Sequence, residues 1–265
     1  MSLRSSSAIS LVQRGLSPFE LVYVPHQSWP VPRLLSRPTH PLQISILDSS
    51  FNPPTLAHLA LARGNGSSYD AKLYLLSVRN ADKTIKPTDA SYAQRLEMML
   101  RLAQDSGDDH VAIGVIDEPT FVGKAGKLRA FLEQRLSDLG FSPSRPQLTF
   151  LLGLDTLERL LQPRYYGSEE NMYASLHKFF SPEHDDVRVL CARRATSSAT
   201  EAATLALAER FLSEQRIVLI DIGAVEQTYS STAVRNALAQ KDDDGWQSLV
   251  SPRVKEYIIT EKLYT

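Results

Sequence analysis

One stretch near the start of the chain combines an imidazole with several hydroxyl groups in an order that suits phosphate chemistry. Asp48–His58 follows the apolar run Ile44–Leu47 and leads into the apolar segment Leu56–Ala62. This order predicts a strand, a polar corner and a helix with Thr55 as N-cap and His58 as its third residue. A helix N-terminus attracts anions, and an imidazole there adds a donor. The corner predicts a phosphate site, although by itself it also fits a capped helix with a surface histidine.

Hydroxyl residues and an arginine form a second corner of the same kind. Ser230, Ser231 and Thr232 come after the apolar run Ile217–Ile220, and Arg235 follows within one helical turn. The helix dipole disfavours a cation in a first turn by about 0.3–1 kcal/mol. That cost is offset when an anion lies between the guanidinium and the free N–H groups. The second corner therefore also predicts phosphate binding, and the alternative is a solvated arginine beside ordinary helix caps.

Two further polar segments follow predicted strands. Gly153 ends an apolar run, where the lack of a Cβ lets a ligand approach the backbone. Asp155 either caps the next helix or accepts hydrogen bonds from a nucleotide. Arg79 and Lys83 follow an earlier strand and either meet phosphates or are solvated loop cations.

The elements that position these residues alternate between strands and helices after residue 42. The predicted strands are Gln43–Leu47, Ala71–Ser77, Val111–Val115, Gln147–Leu152, Val187–Ala192 and Arg216–Ile220. The predicted helices are Leu56–Arg63, Tyr92–Gln104, Lys127–Leu139, Thr156–Leu161, Glu201–Ser213, Ala233–Gln240 and Pro252–Glu261, with Pro163–Asp186 as a long loop. This alternation requires crossovers and predicts an α/β fold with a mainly parallel sheet, whose ligands bind at the carboxyl ends of the strands.

Composition and charge restrict the class of protein. The 265 residues are 43% hydrophobic, which suits one large domain, and the formal net charge of −1 predicts neither nucleic acid nor membrane as a partner. The single cysteine, Cys191, predicts a buried thiol and a reducing compartment. Residues 1–42, rich in Arg and Ser, are predicted to be an N-terminal arm that packs on a domain of residues 43–265. Cytoplasmic or nuclear location is expected, mitochondrial import is less favoured, and an oligomer stays open.

Four segments resemble motifs of the nicotinamide mononucleotide adenylyltransferase family, within the nucleotidyltransferase superfamily. Ser50-Phe51-Asn52-Pro53-Pro54-Thr55-x-x-His58 is similar to the family's GSFNPxTxxH motif, and Ser230-Ser231-Thr232-x-x-Arg235 to its ISSTxxR motif. Gly153-x-Asp155 resembles the GxD segment, and Leu249–Ile259 resembles the final helix. The resemblance spans about residues 43–264 and suits a divergent, fungal-type member. The chain departs from the family at Ser49, where glycine is usual, and in the tryptophan segments, for which Tyr165 and Tyr166 offer aromatic rings.

The resemblance implies a Rossmann-like, doubly wound sheet with helices on both faces, and adenylyl transfer from ATP to nicotinamide mononucleotide. NAD and pyrophosphate are the products, and the mononucleotide phosphate attacks the α-phosphorus directly. His58 would donate to the α-phosphate, Thr55 would contact phosphates, and Arg235 would hold the β- and γ-phosphates. The implied nucleotide-binding residues are Ser49, Ser50, Phe51, Lys83, Gly153, Asp155, Ser230, Ser231 and Thr232. No residue is implied as a metal ligand, and Mg²⁺ would enter bound to ATP.

Other functions fit parts of the same pattern. One is transfer to another phosphate acceptor, such as phosphopantetheine or a cytidylyl-type substrate. Another is ATP hydrolysis, and a third is nucleotide binding for regulation without transfer. The intact Thr55, His58 and Arg235 favour transfer, because binding alone does not require a donor at the α-phosphate. The missing tryptophans favour a nucleotide-binding regulatory protein that no longer catalyses transfer.

Overall fold

A seven-stranded sheet runs through the described part of the chain. The computed structural model describes residues 2–33, 40–64, 68–79, 86–141, 145–193, 199–242 and 244–264. The strands are β1 Phe19–Tyr23, β2 Gln43–Asp48, β3 Ala71–Ser77, β4 Val111–Ile116, β5 Gln147–Gly153, β6 Arg188–Ala192 and β7 Ile217–Ile220. The helices are α1 Ser2–Gln13, α2 Leu56–Arg63, α3 Tyr92–Ser106, α4 Phe121–Asp138, α5 Leu154–Leu160, α6 Glu169–Phe180, α7 Ala199–Ser213, α8 Ser231–Ala239 and α9 Pro252–Thr260.

The order of the strands creates a crevice at the middle of the sheet. The order is β1-β4-β3-β2-β5-β6-β7; β2 to β7 pair in parallel, and β1 pairs antiparallel with β4. From β2 the chain builds outward through β3 and β4, and from β5 it builds in the opposite direction. Ligands of doubly wound sheets bind outside the carboxyl ends of the strands at such a switch point. The fold therefore directs attention to the ends of β2 and β5.

Two apolar clusters cover the two faces of the sheet. Ile44 and Ile46 of β2 belong to one cluster together with side chains of α4, α5, α6 and α7. Leu47 of the same strand belongs to the other, with side chains of α1, α2, α3, α8 and α9. Alternate strand residues point to opposite faces, so a central strand buried on both sides reads as a nearly continuous apolar run. The predicted doubly wound α/β fold with helices on both faces is confirmed.

The segment before residue 42 packs on the rest of the sheet. The side chains of Phe19 and Trp29 are 3% and 0% exposed, and the Trp29 indole N–H donates to the His110 carbonyl at 3.1 Å. The expected packing of this segment is found, but α1 and the edge strand β1 were not predicted. The division of the chain at residue 42 stays a prediction.

Two helices differ from the sequence prediction. The long loop predicted for Pro163–Asp186 contains α6, whose Met172, Leu176 and Phe179 are buried at helical spacing. Helix α4 begins at Phe121 rather than at Lys127, capped by the Thr120 hydroxyl, which accepts from the Gly123 N–H. Gly123 and Gly126 dilute the local helix propensity of this turn, and tertiary packing outweighs that weak preference.

The thiol of Cys191 is fully buried in β6, as the sequence predicts. Burial raises its pKa to about 12, so the group stays a protonated, unreactive thiol. Among the described residues, no helix combines the length and apolar character needed to cross a bilayer.

Candidate active site

A cavity of about 430 Å³ lies at the carboxyl edge of the sheet, where β2 and β5 end. Most of the predicted site residues line it together: Ser49, Ser50, Thr55, His58, Gly153, Asp155, Ser230, Ser231, Thr232 and Arg235. Two do not belong to this set. Phe51 packs below the cavity, and Lys83 lies outside the described residues. The fold therefore brings three separate sequence segments to one cavity.

The imidazole of His58 is held in a single tautomer. Its Nδ1 accepts the backbone N–H of Thr55 at 3.0 Å and lies 2.9 Å from the Thr55 hydroxyl. Burial lowers the pKa of His58 to about 4, so the ring is neutral at pH 7. A backbone N–H can only donate; the ring proton of the neutral imidazole is therefore on Nε2, which lies 2.9 Å from the Ser49 hydroxyl.

A strained phenylalanine supports this imidazole from below. Phe51 has a φ of 45°, a left-handed conformation that costs a non-glycine residue about 1 kcal/mol. Its fully buried ring lies with its centroid 5.3 Å from that of His58 and 6.1 Å from that of Tyr74. Core packing thus holds the strained backbone, and the Phe51 ring packs against the imidazole of His58.

The second corner, Tyr229–Arg235, is fastened to the backbone of the first. Ser230 is the N-cap of α8 and accepts the Ala233 N–H at 3.1 Å. The Ser231 hydroxyl donates to the Pro53 carbonyl at 2.7 Å. Arg235 donates through Nη1 to the Asn52 carbonyl at 2.5 Å and through Nη2 to the Thr232 hydroxyl at 3.2 Å. These bonds set the distance between the α8 N-terminus and His58.

A polar cluster around Asn52 ties the first corner to α3 and to the C-terminus. The side-chain NH₂ group of Asn52 donates to Asp89 at 2.7 Å. Its side-chain oxygen, Oδ1, accepts the Ala90 N–H at 3.2 Å and the Tyr264 hydroxyl at 2.9 Å. Burial raises the pKa of Asp89, but hydrogen bonds from Lys86 and Asn52 and the charge of Arg95 outweigh it and lower the pKa overall. Asp89 therefore stays ionised beside the two corners.

A buried ion pair under the cavity was missed by sequence reasoning. Lys124 Nζ lies 2.5 Å from the carboxylate of Asp48, and the two side chains are 6% and 7% exposed. The same ammonium lies 4.9 Å from the centroid of the Phe121 ring and covers it. A lysine at a core-facing position of a helix indicates a buried ion pair, and Lys124 has such a position in α4. The pair was not predicted because the helix was predicted to begin at Lys127, after this residue.

More cations lie around the mouth of the cavity. Arg79 is held by Asp117 through two hydrogen bonds of 2.8 Å. Arg193, also missed, lines the cavity directly after β6, and its position at the carboxyl end of a strand is the signal that could have found it. The two aromatic residues that the sequence offered, Tyr165 and Tyr166, both line the cavity. The half-buried Tyr166 hydroxyl donates to the Leu160 carbonyl at 2.9 Å.

The described residues contain no group of three or more His, Cys, Asp or Glu side chains that could hold a metal ion. The carboxylate of Asp48 faces the cavity but is committed to Lys124.

Comparisons with known proteins found similarity in sequence to one named relative and similarity in fold to solved structures. No family model matches the chain. A Schizosaccharomyces pombe protein provisionally named nicotinamide mononucleotide adenylyltransferase is 29% identical over 228 residues, covering 81% of this chain and 83% of the relative. Plasmodium falciparum nicotinic acid mononucleotide adenylyltransferase complexed with NaAD is similar at a TM-score of 0.53 and 15% identity, covering 84% of this chain and 97% of that chain. The same enzyme complexed with APC is similar at a TM-score of 0.50 and 16% identity, again covering 84% of this chain and 97% of that chain.

These similarities carry different weights. At 15% and 16% identity the solved structures establish the fold alone. The S. pombe relative matches most of both chains in sequence. This similarity and the motifs in the family's order make the chain similar to nicotinamide mononucleotide adenylyltransferases over most of its length.

Proposed function

We propose that this protein transfers the adenylyl group of ATP to the phosphate of nicotinamide mononucleotide, forming NAD and pyrophosphate. The observation that carries the proposal is one cavity lined both by a neutral, proton-bearing His58 and by the N-terminus of α8 with Arg235. The name of the S. pombe relative and the NaAD and APC complexes of the Plasmodium enzyme support it. A site that only bound nucleotide would not need a fixed donor beside the α-phosphate.

The reaction is suited to positioning and electrostatic stabilisation. The acceptor phosphate is an anion at neutral pH and attacks the α-phosphorus without a general base. Negative charge then builds on the α-phosphoryl oxygens, and the proton-bearing side of His58 stabilises it. Because Thr55 and Phe51 already hold the ring, this stabilisation needs little reorganisation during the reaction.

The second corner is proposed to hold the β- and γ-phosphates. Ser231 and Thr232 begin α8, where backbone N–H groups lack partners inside the helix. Arg235 uses two of its nitrogens for Asn52 and Thr232, and a guanidinium carries five N–H donors, so it keeps capacity for phosphate. Lys83, in the loop after β3, is proposed to add a further cation. This arrangement would bind the leaving pyrophosphate as it separates.

Mg²⁺ fits this cavity as a companion of the substrate. When bound with ATP it would supply positive charge that neutralises the leaving group. The protein's share is the anion-binding surface of α8, since the described residues supply no cluster of metal ligands.

The acceptor nucleoside is proposed to lie over the end of β5. A Cβ built on Gly153 would meet no atom within 4 Å, so the glycine leaves open space at the cavity wall. Asp155 and Tyr165 line the same wall and would contact the nucleotides. One face of the Phe121 ring is occupied by the Lys124 ammonium.

One assay tests the proposal. The purified chain is incubated with ATP and Mg²⁺ and, in parallel, with nicotinamide mononucleotide, nicotinic acid mononucleotide, phosphopantetheine or no acceptor. Chromatography follows dinucleotide and AMP, and a colorimetric assay follows phosphate. We expect NAD and pyrophosphate with nicotinamide mononucleotide. Phosphate or AMP without any dinucleotide would instead establish ATP hydrolysis.

A further inference from the structure

The hydroxyl of Ser49 occupies the place where His58 would meet a phosphate. Its Oγ lies 2.9 Å from His58 Nε2, and both residues line the cavity. The related family usually has glycine at this position. We propose that Ser49 is the residue that donates to the α-phosphoryl oxygen, with His58 acting through it. This inference rests on the proposed function and assigns a catalytic role that the family's glycine cannot have.

The direction of the hydrogen bond follows from the other side of the ring. Nδ1 accepts the Thr55 N–H, so the opposite tautomer would place two N–H groups against each other. Nε2 therefore carries the proton and donates to Ser49, which accepts. The proton of the Ser49 hydroxyl then remains for a second acceptor.

That proton has no acceptor among the described residues. Among the described residues the Ser49 side chain is hydrogen-bonded to His58 alone, and Ser49 lines the cavity. A hydroxyl that accepts from an N–H becomes a stronger donor, because hydrogen bonds in a chain polarise one another. The order Thr55 N–H, His58, Ser49 O–H thus ends in a donor directed at ligand space.

The same geometry excludes a covalent role for Ser49. A serine nucleophile needs an unprotonated nitrogen of the adjacent histidine to take its proton. Here the nitrogen facing Ser49 is protonated, and the other is occupied by Thr55. The serine therefore keeps its proton, and adenylyl transfer remains direct between ATP and the acceptor.

The test compares kcat and KM for adenylyl transfer in the parent, Ser49→Ala, Ser49→Gly, Ser49→Cys, His58→Ala and the double variant Ser49→Ala/His58→Ala. We expect Ser49→Ala and Ser49→Gly to lower kcat about 10- to 100-fold, with KM for ATP changed less than about threefold, because the donor acts on developing charge. Ser49→Cys, with a weaker donor of similar shape, should lie between. The double variant should be no slower than His58→Ala, since the two residues act as one unit.

Ser45→Ala is the matched control. Ser45 lies in β2, the strand that ends just before Ser49; its buried hydroxyl has no hydrogen-bond partner among the described residues, and its loss should leave kcat unchanged. Thermal melting of each variant checks folding, and intact mass after incubation with ATP checks for an adduct.

The outcomes separate the two proposals. A parent that forms dinucleotide while Ser49→Gly and Ser49→Ala keep or raise kcat overturns the role of Ser49 alone, because His58 then donates directly. An adenylylated Ser49 also overturns it. A parent that forms no dinucleotide with any acceptor overturns the proposed function, and the inference falls with it because no transfer remains for Ser49 to assist.

Discussion

The two corners of the cavity use similar residues in opposite ways. In the first, Asp48–His58, the side chains of Phe51 and Thr55 are fully buried, and the imidazole of His58 is bonded on both nitrogens. In the second, Tyr229–Arg235, Thr232 is exposed and Arg235 is half-buried. The first corner is part of the core, whereas the second reaches into solvent and touches the first through Ser231 and Arg235.

This difference predicts that the first corner mainly affects kcat and the second mainly affects the affinity for ATP. Groups held by packing before substrate arrives stabilise developing charge with little reorganisation, so their loss lowers kcat. Groups at an open helix N-terminus meet a ligand that displaces water, so their loss lowers affinity. Variants that separate kcat from affinity are therefore the direct way to break or sharpen the comparison.

His58→Ala is expected to have the largest effect. It removes the proton-bearing ring and, through it, the polarisation of Ser49, and should lower kcat about 10²- to 10³-fold with little change in ATP affinity. Steady-state kinetics and calorimetric titration with a non-hydrolysable ATP analogue measure the two quantities. His177→Ala, in α6 and outside the cavity lining, is the control. Unchanged kcat in a folded His58→Ala variant would remove the first corner from the mechanism.

Arg235→Ala is expected to weaken ATP binding more than it lowers kcat. Hydrogen bonds to charged groups contribute about 1.5–3 kcal/mol, so affinity should fall about 10- to 100-fold. Arg235→Lys should recover only part of the lost ATP affinity, because an ammonium cannot bind phosphate in the bidentate manner. Arg210→Ala, which breaks only an exposed pair with Glu214, is the control. Equal ATP affinity in the parent and Arg235→Ala would contradict the phosphate assignment.

The stability of the protein should depend on pH because of His58. The pKa of His58 is about 4 in the fold and about 6.5 in the unfolded chain, so the unfolded chain binds more protons between these values. The contribution of His58 to the free energy of unfolding is fully present above pH 6.5 and is lost as pH falls towards 4. The free energy of unfolding changes by at most about 1.4 kcal/mol per pH unit over this range. Urea unfolding at several pH values measures it.

His58→Gln supplies the comparison for this pH dependence. The free energy of unfolding is measured against pH in this variant and in the parent, and the two slopes are subtracted. The subtraction removes the contributions of other titrating groups, including His26, whose pKa is also lowered by burial. An identical slope in both proteins would mean that His58 is not held neutral by the fold.

Tyr264→Phe is expected to have the smallest effect. It removes the hydroxyl that donates to Asn52, while the Ala90 N–H still satisfies that amide oxygen. The free energy of unfolding should fall by about 0.5–1.5 kcal/mol, and kcat should change little. Tyr257→Phe is the control on α9, since that ring contacts Arg101 through its face. A large loss of kcat would instead mean that the C-terminus controls the geometry of the first corner.

Local patterns were sufficient for much of the fold and most of the site. Helix α2 lies at Leu56–Arg63 and strand β3 at Ala71–Ser77, as predicted, because apolar periodicity and capping residues act within a few positions. Helix α6 was missed although its buried residues have helical spacing, because turn-forming residues such as Gly167 and Pro182 flank its 12 residues. Lys124 was missed with the first turn of α4, where two glycines obscure the pattern.

The sequence by itself determined the alternation of elements, the two polar corners and their chemistry, since each depends on residues within about ten positions. Only the tertiary structure decided that Arg235 reaches the Asn52 carbonyl, that Lys124 pairs with Asp48 and that Tyr264 closes on Asn52, across 183, 76 and 212 positions. It also turned Ser49 from a departure from a motif into the partner of His58. Such contacts depend on strand order and on which faces the crossovers bring together, and no short window of sequence contains that information.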